Sequence, residues 1–442
     1  MVPVALPMWT GVAVLILGLL SRRMLFALAM GFLASSMFSF NAIAGLAPVT
    51  SQAWSGTITL VNDPQAFPGR VVVIADTDLG RVQVTAASSV ARDLRQASAW
   101  SEFTVTGSLR PLANQERLLS RHVRMSLVAT KVEPRDGGTL WRIPVETVRQ
   151  LIRNGSEALP LQQRPVYSGF VIGDDRGSET GIVESFEEAG LTHLLVVSGE
   201  NLVFVIAVAT PLLVRLPRRT RVGVTIVILV LFAAVTRFEP SILRATAMAL
   251  IALIGVGSGR PIDARQRLAA AVSILVLIDP LLVESLGFQL SIAATGGITC
   301  FSRAIMKATR GPVWFRQVFS VTVAAQIAVA PLIVPTFGPM PLASLPANVL
   351  AGPIAGFVMM WGSSVGLLAG LVGNGPATIL LLPVRAALWW ILNVASWCAA
   401  LSLPRLNLFA ITGLFGLGFL LFQWRYGGRT RSLEHRQRPP AG

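Results

Sequence analysis

Charge is scarce in this sequence. Of 442 residues, only 13% are Asp, Glu, Lys or Arg, while 53% are hydrophobic. Soluble globular chains are about one-quarter charged, so this composition excludes an ordinary soluble protein and indicates a polytopic membrane protein. Histidine is nearly absent too: His122, His193 and His435 are the only three. They are scattered, with no His/Cys cluster and no HxHxDH-like run, which excludes a metal-hydrolase site. The two cysteines, Cys300 and Cys398, sit in apolar runs at no metal-binding spacing, and buried free thiols are expected. A P-loop is lacking, so the chain is no ATPase. None of these patterns calls for a cofactor or a metal.

What is present is arginine and long apolar runs. The formal net charge is +15. In a membrane protein such an excess reports topology more than a nucleic-acid partner. Val2–Leu20 and Met24–Leu46 flank Arg22-Arg23 and read as a transmembrane hairpin (1–48). Ala42-Ile43-Ala44 has the form of a signal-peptide cleavage site, but two spanning-length runs in tandem favour the hairpin. After Gly190 the expected spans are Leu191–Val214, Val222–Thr236, Ile242–Val256, Leu268–Asp279, Leu281–Phe301, Gln317–Val334, Ala347–Leu371, Ala377–Ala400 and Leu406–Trp424. Together with the hairpin they make about eleven spans, several shorter than the roughly 20 residues a lone helix needs. With this assignment every Arg cluster falls on one side: Arg22-Arg23, Arg215–Arg221, Arg260–Arg267, Arg303–Arg316 and the tail 425–442. The positive-inside rule makes that side the cytoplasm, with the N-terminus outside and the C-terminus inside.

Residues 51–164 have a different character. Short runs at Ser55–Leu60, Arg70–Ala75, Gly80–Ala86 and Glu102–Gly107 alternate with turn pairs such as Asp63-Pro64 and Pro68-Gly69. This predicts a small β-barrel or sandwich, which the topology places outside the membrane. A five-stranded oligonucleotide-binding (OB-like) barrel fits the length. Trp54, Trp100 and Trp141, with Phe67 and Phe103, are candidates for stacking single-stranded bases; core packing is the favoured reading for most of them. Residues 165–190 form a polar loop and an amphipathic approach to the membrane. Their GDDRG run is read as a surface turn rather than a cation site at Asp174 and Asp175.

Polar groups at membrane depth are functional candidates by default. The segment Gly190–Leu216 interrupts an apolar run with Ser198-Gly199-Glu200-Asn201 and carries His193. Such a break is tolerated where it faces protein or a wet cavity. Further candidates for lining or packing are Arg237, Glu239, Arg244, Asp279, Glu284 and Gln289. A Ser/His dyad is disfavoured, because residues five apart lie about 140° round a helix.

Four ordered motifs resemble the ComEC competence family, the inner-membrane channel for incoming single-stranded DNA. GLTHLLVVSGENL (190–202) is similar to its GL-x-HLL-x-x-SG-x-x-V run, and EPSILRATAMALIALIG (239–255) to its PS-x-x-RA-x-M helix. LIDPLLVESLGFQLSIAATGGI (277–298) is similar to its DP…GFQLSF-x-A stretch. FGPMPLASLPANVLAGPIAGFVM (337–359) resembles its next loop and span. The resemblance implies a competence-type transmembrane domain (191–424), an OB-like domain inserted after a hairpin, and a role in DNA uptake rather than an enzyme activity. It implies single-stranded DNA and the bilayer as partners, with a separate DNA receptor, nuclease and cytoplasmic motor or helicase. Asn201 replaces the second His of the family's SGLHV, which removes any role of that imidazole here. No His/Asp ligands of the metallo-β-lactamase-like domain found in many members occur in the sequence. The alternative is a transporter of another anionic or amphiphilic substrate on the same scaffold.

Overall fold

Alternation of apolar and polar residues builds the first domain. Ile58 and Leu60, Val71 and Val73, Val82 and Val84, Phe103 and Val105, and Leu127 and Ala129 all point into one buried core, as a period of two requires. The strands are β1 (Gln52–Leu60), β2 (Gln65–Phe67), β3 (Arg70–Thr77), β4 (Gly80–Ala87), β5 (Glu102–Pro111) and β6 (Met125–Arg135). They hydrogen-bond in the order β1-β5-β6-β4-β3, and β3 pairs back to β1, closing a five-stranded barrel; β2 extends β3 as a flap. All pairs are antiparallel except β4 with β6. A short helix, α1 (Arg92–Gln96), joins β4 to β5. The sequence pattern anticipates four of these strands; β6 and the three-residue β2 lie beyond it.

This computed structural model describes residues 51–112, 118, 121–123, 125–135, 142–257, 262–401 and 403–407. The expected N-terminal hairpin, Trp141, nearly all of the last expected span and the basic tail lie outside them.

The remainder of the described chain is helical. Helix α2 (Arg142–Ser156) buries Val145, Arg149, Ile152 and Gly155, a spacing of three to four that lines one face. The sequence reading groups it with the β domain, but its buried face belongs to the helical core. It lies against a helix near the chain's end, and the two backbones touch: a Cβ added to Gly370 would sit 2.0 Å from the carbonyl oxygen of Leu151. Only glycine permits that approach.

The next elements are α3 (Gln163–Ile172), α4 (Thr180–Glu188), α5 (Thr192–Leu195), α6 (Gly199–Leu213), α7 (Arg218–Val235), α8 (Pro240–Gly257) and α9 (Ala264–Ile278). After a 3-10 turn at Pro280–Glu284 come α10 (Leu286–Ala308), α11 (Val313–Phe337), α12 (Ser344–Gly362), α13 (Val365–Val372), α14 (Asn374–Leu380) and α15 (Leu382–Ala400). Helix starts follow capping chemistry: Asp263 accepts from the Arg265 amide and Ser285 from that of Phe288.

Among the described residues, α11 and α12 are long and apolar enough to cross a bilayer; α6 and most of α8 are shorter apolar helices. The interruption expected in 191–214 falls at Val196–Ser198, and the expected spans at 347–371 and 377–400 are broken as well, at Ser363–Ser364 and Leu381. Two loops expected on one side do meet. β7 (Met340–Pro341) pairs antiparallel with β8 (Arg405–Leu406). At another set of turns, Arg218 Nη2 reaches the Val256 carbonyl at 3.5 Å.

Cross-strand partners lie close enough for a disulfide. A Met340→Cys, Leu406→Cys pair, in a chain with Cys300 and Cys398 replaced by alanine, is therefore expected to oxidise spontaneously. A reduced pair after mild oxidation would show that these loops are not joined.

Candidate functional site

The polar break is held open by side chains. Helix α5 ends at Leu195, Val196 is extended, and Ser198 starts α6 as its N-cap. Ser198 Oγ accepts from the Glu200 amide at 3.2 Å and donates to Asn201 Oδ1 at 3.1 Å. Asn201, 2% exposed, donates through Nδ2 to the Phe170 carbonyl at 2.7 Å. Ser241 Oγ donates to the Val197 carbonyl at 2.9 Å. Two backbone groups at the break, the Glu200 amide and the Val197 carbonyl, are thus satisfied by side chains.

Arg244 on α8 lies against this break. A Cβ on Gly199 would sit 2.6 Å from Arg244 Nη2 and 2.9 Å from Ala245 Cβ, so the contact requires glycine. Arg244 is 7% exposed; its Nε donates to Ser291 Oγ at 2.8 Å and its Nη1 lies 3.1 Å from Met248 sulfur. Among the described residues no carboxylate is within ion-pair distance of it. A buried guanidinium without a counter-ion is costly, by several kcal/mol as an order of magnitude, and it lowers the cost of bringing an anion there.

The other sequence candidates divide. Gln289, also on α10, is buried and donates to the Val283 carbonyl at 2.6 Å, tying the 3-10 turn to its helix. Glu200 and Glu284 are exposed and Glu239 is half-buried. His193 is exposed on α5, and the extended break separates it from Ser198, so the helical-angle argument does not apply, and no hydrogen bond joins the two among the described residues. Arg237 and Asp279 lie elsewhere, at the seam with the barrel.

That seam is a buried ionic network. Asp63, in the loop after β1, receives Arg149 Nη2 and, at 2.8 Å, Arg237 Nη2; it also accepts the Ala99 amide at 2.9 Å. Arg149, 0% exposed, donates Nη1 to the last carbonyls of α3 and α7, Ile172 at 3.0 Å and Val235 at 2.7 Å. Cations suit helix C-termini. The GDDRG run is a turn whose Gly173, Asp175 and Gly177 are exposed, but Asp174, 6% exposed, points inward and is held by Arg176, Arg153 and Arg149. Glu146 completes the set beside Arg153 and Arg237. Burial alone would raise the Asp63 carboxyl; the guanidiniums of Arg149 and Arg237 outweigh it and hold it below the ordinary range. Burial opposes ionisation of Asp174 likewise, and the hydrogen bonds and charge of Arg176 and its neighbours prevail. Burial lowers Arg149 to about 10, against the pull of Asp63.

Trp100 is neither core nor a free stacking platform. Its ring carries the Arg237 guanidinium 4.8 Å above its centre and meets Phe238 edge-on at 6.5 Å. Trp54 is half-buried and packs against the barrel core. Phe67 is 45% exposed, with Arg70 over its ring. A second strut joins His122 Nε2 of the barrel to Asp279 Oδ2 at 3.0 Å. Among the described residues, four that are not glycine have left-handed φ: Trp100 at 65°, His122 at 58°, Arg237 at 59° and Phe238 at 53°. All four are at the seam, and each costs about 1–2 kcal/mol.

Asp63 and Arg149 escape sequence reasoning. Asp63-Pro64 reads as a turn, and nothing in the reading of residues 51–164 singles out Arg149. The one available signal is that Arg149 keeps register with Val145 and Ile152 on the apolar face.

Fold and site define a class first: a helical body with helices able to cross a bilayer, a polar helix break holding a buried arginine, and a small barrel seated on that body. Within that class, the family model described as Competence protein matches residues 170–427, more than half of the chain, and the protein belongs to that family. It is 24% identical over 261 residues to ComE operon protein 3 of Bacillus subtilis (strain 168), covering 57% of this chain and 33% of that one. The chain thus spans about a third of the length of this curated relative. No solved structure matches it.

Removing one partner from a buried ion network costs about 3–5 kcal/mol. Arg149→Leu should therefore lower the melting temperature of the detergent-purified protein clearly at pH 7. The depressed carboxyls of Asp63 and Asp174 contribute above their unfolded pKa, about 4. Their contribution is lost as pH falls below it, so the gap between parent and variant should narrow on acidification. A gap independent of pH would separate Arg149 from these carboxylates.

Proposed function

We propose that this protein is a ComEC-like channel that passes single-stranded DNA across the cytoplasmic membrane during DNA uptake. The observation that carries the reading is Arg244: buried, without a carboxylate among the described residues, and packed on Gly199 at a polar helix break. A strand bearing one negative charge per nucleotide needs a wet path with fixed cations along it, and a cation already held by its own carboxylate offers little. Arg237, the other arginine expected on the path, is engaged by Asp63 and Glu146 and is assigned to the seam instead.

The barrel supports the same reading. Its connectivity, with the parallel pair between the third and fifth strands of the closed ring, is that of an OB barrel. Such barrels bind oligonucleotides through the loops between strands one and two and between strands four and five. Here those loops carry Asp63 and Phe67, and His122. Asp63 and His122 both contact the helical body, so a strand held there is delivered to the mouth of the path. In this reading the chain has about eleven spans, the barrel is extracytoplasmic and the arginine-rich turns are cytoplasmic. It is not an enzyme; a DNA receptor, a nuclease and a motor act beside it.

The second reading is a transporter of another anionic or amphiphilic substrate. Glu200 and Glu239 favour it, since carboxylates near the break are poor lining for a polyanion.

Uptake of labelled DNA into a protected cytoplasmic pool, in a deletion strain restored with the intact gene or with variants, tests both. Arg244→Glu should reduce uptake at least tenfold, with an unchanged amount of protein in the membrane, and Arg244→Lys should retain part of it. Full uptake with Arg244→Glu would remove Arg244 from the path. Deletion without effect, while DNA reaches the outer face, would leave the second reading.

A further inference from the structure

We infer that Asp63 is a positioning residue: by docking the barrel it sets the placement of the Arg244 helix against the polar break. The connection is short and continuous. Asp63 binds Arg237 through both carboxylate oxygens, and Arg237 also stacks on Trp100 of the barrel. Arg237 and Phe238 hold consecutive left-handed backbone conformations. Two local bonds, from the Arg237 amide to the Ala234 carbonyl and from the Phe238 amide to the Ala233 carbonyl, close the end of α7 and hold that backbone, while the two side chains are anchored on the barrel at Asp63 and Trp100. The next residues begin α8 at Pro240, and its first two turns carry Ser241, bonded to Val197, and Arg244, packed on Gly199. Arg149 fixes the other side of the same turn, since it binds both Asp63 and the Val235 carbonyl that ends α7.

The docked barrel therefore anchors the α7–α8 turn in place through these side chains. Release of Asp63 frees the turn to move, and α8 shifts relative to α6. The Arg244 guanidinium then moves off Gly199 and exposes Ser291, its hydrogen-bond partner. The barrel is in this way coupled to the break through the α7–α8 turn.

The test uses the full-length protein with Cys300 and Cys398 replaced by alanine and Ser291→Cys as the reporter. The rate of maleimide labelling at position 291 reports whether Arg244 still covers it. Asp63→Asn should raise that rate at least fivefold, and Asp63→Glu should bring it back towards the parent. Limited trypsin cleavage between residues 135 and 142 reports undocking of the barrel. Undocking by Asp63→Asn with an unchanged labelling rate would overturn the coupling. No change in either readout would overturn the role of Asp63. Should Asp63→Asn fail to accumulate, Trp100→Leu removes the stacked ring and spares the ion pairs; it should raise labelling in the same direction, and an unchanged rate would again overturn the coupling. Labelling needs no DNA, so the result stands apart from the uptake reading. A labelling shift with normal uptake would count against Arg244 in the path and leave the coupling intact.

Discussion

The structure depends on one arrangement of charge: the Arg149 guanidinium, fully buried between Asp63, Asp174 and the carbonyl ends of two helices. Buried ion pairs contribute little net stability against well-packed apolar residues, because desolvation cancels much of the attraction. What they supply is geometry. A guanidinium with partners on the barrel, on the GDDRG loop and on α3 and α7 accepts one relative placement of all four. A slip of a few ångströms would leave several charges buried and unpaired, which is far costlier than a slipped apolar contact.

The polar break uses the opposite logic. Two of its backbone groups are satisfied by the uncharged Ser198 and Ser241, Asn201 ties it to the Phe170 carbonyl of α3, and among the described residues the cation beside it has hydroxyl and thioether partners only. Arginines at the seam are neutralised by carboxylates; Arg244 is not. The same residue type thus does two kinds of work some residues apart: one group fixes domains, and the other keeps its charge available. The Competence family match starts at residue 170. It takes in the break, Arg244 and the helical side of the seam, and leaves Asp63 and Arg149 outside.

Much of this was legible from composition and periodicity. The alternating runs of the barrel, the apolar helices, the Ser-Gly-Glu-Asn interruption and Arg244 as a buried candidate all rest on local pattern, and local pattern follows from burial. Boundaries inside apolar runs were not, because hydropathy carries no mark where one helix stops at Leu380 and another starts at Leu382.

The sequence by itself determined the class of protein, the family, and the identity of the polar groups that sit among apolar ones, since each follows from the cost of placing charge in an apolar surrounding. Only the tertiary structure decided which charges cancel. Asp63 lies 86 residues from Arg149 and 174 from Arg237. No spacing rule connects such positions, because their meeting depends on how a closed barrel docks against the ends of helices formed much later in the chain. For the same reason the Trp100 ring and the Arg237 guanidinium meet at the seam, a pairing that no local pattern announces.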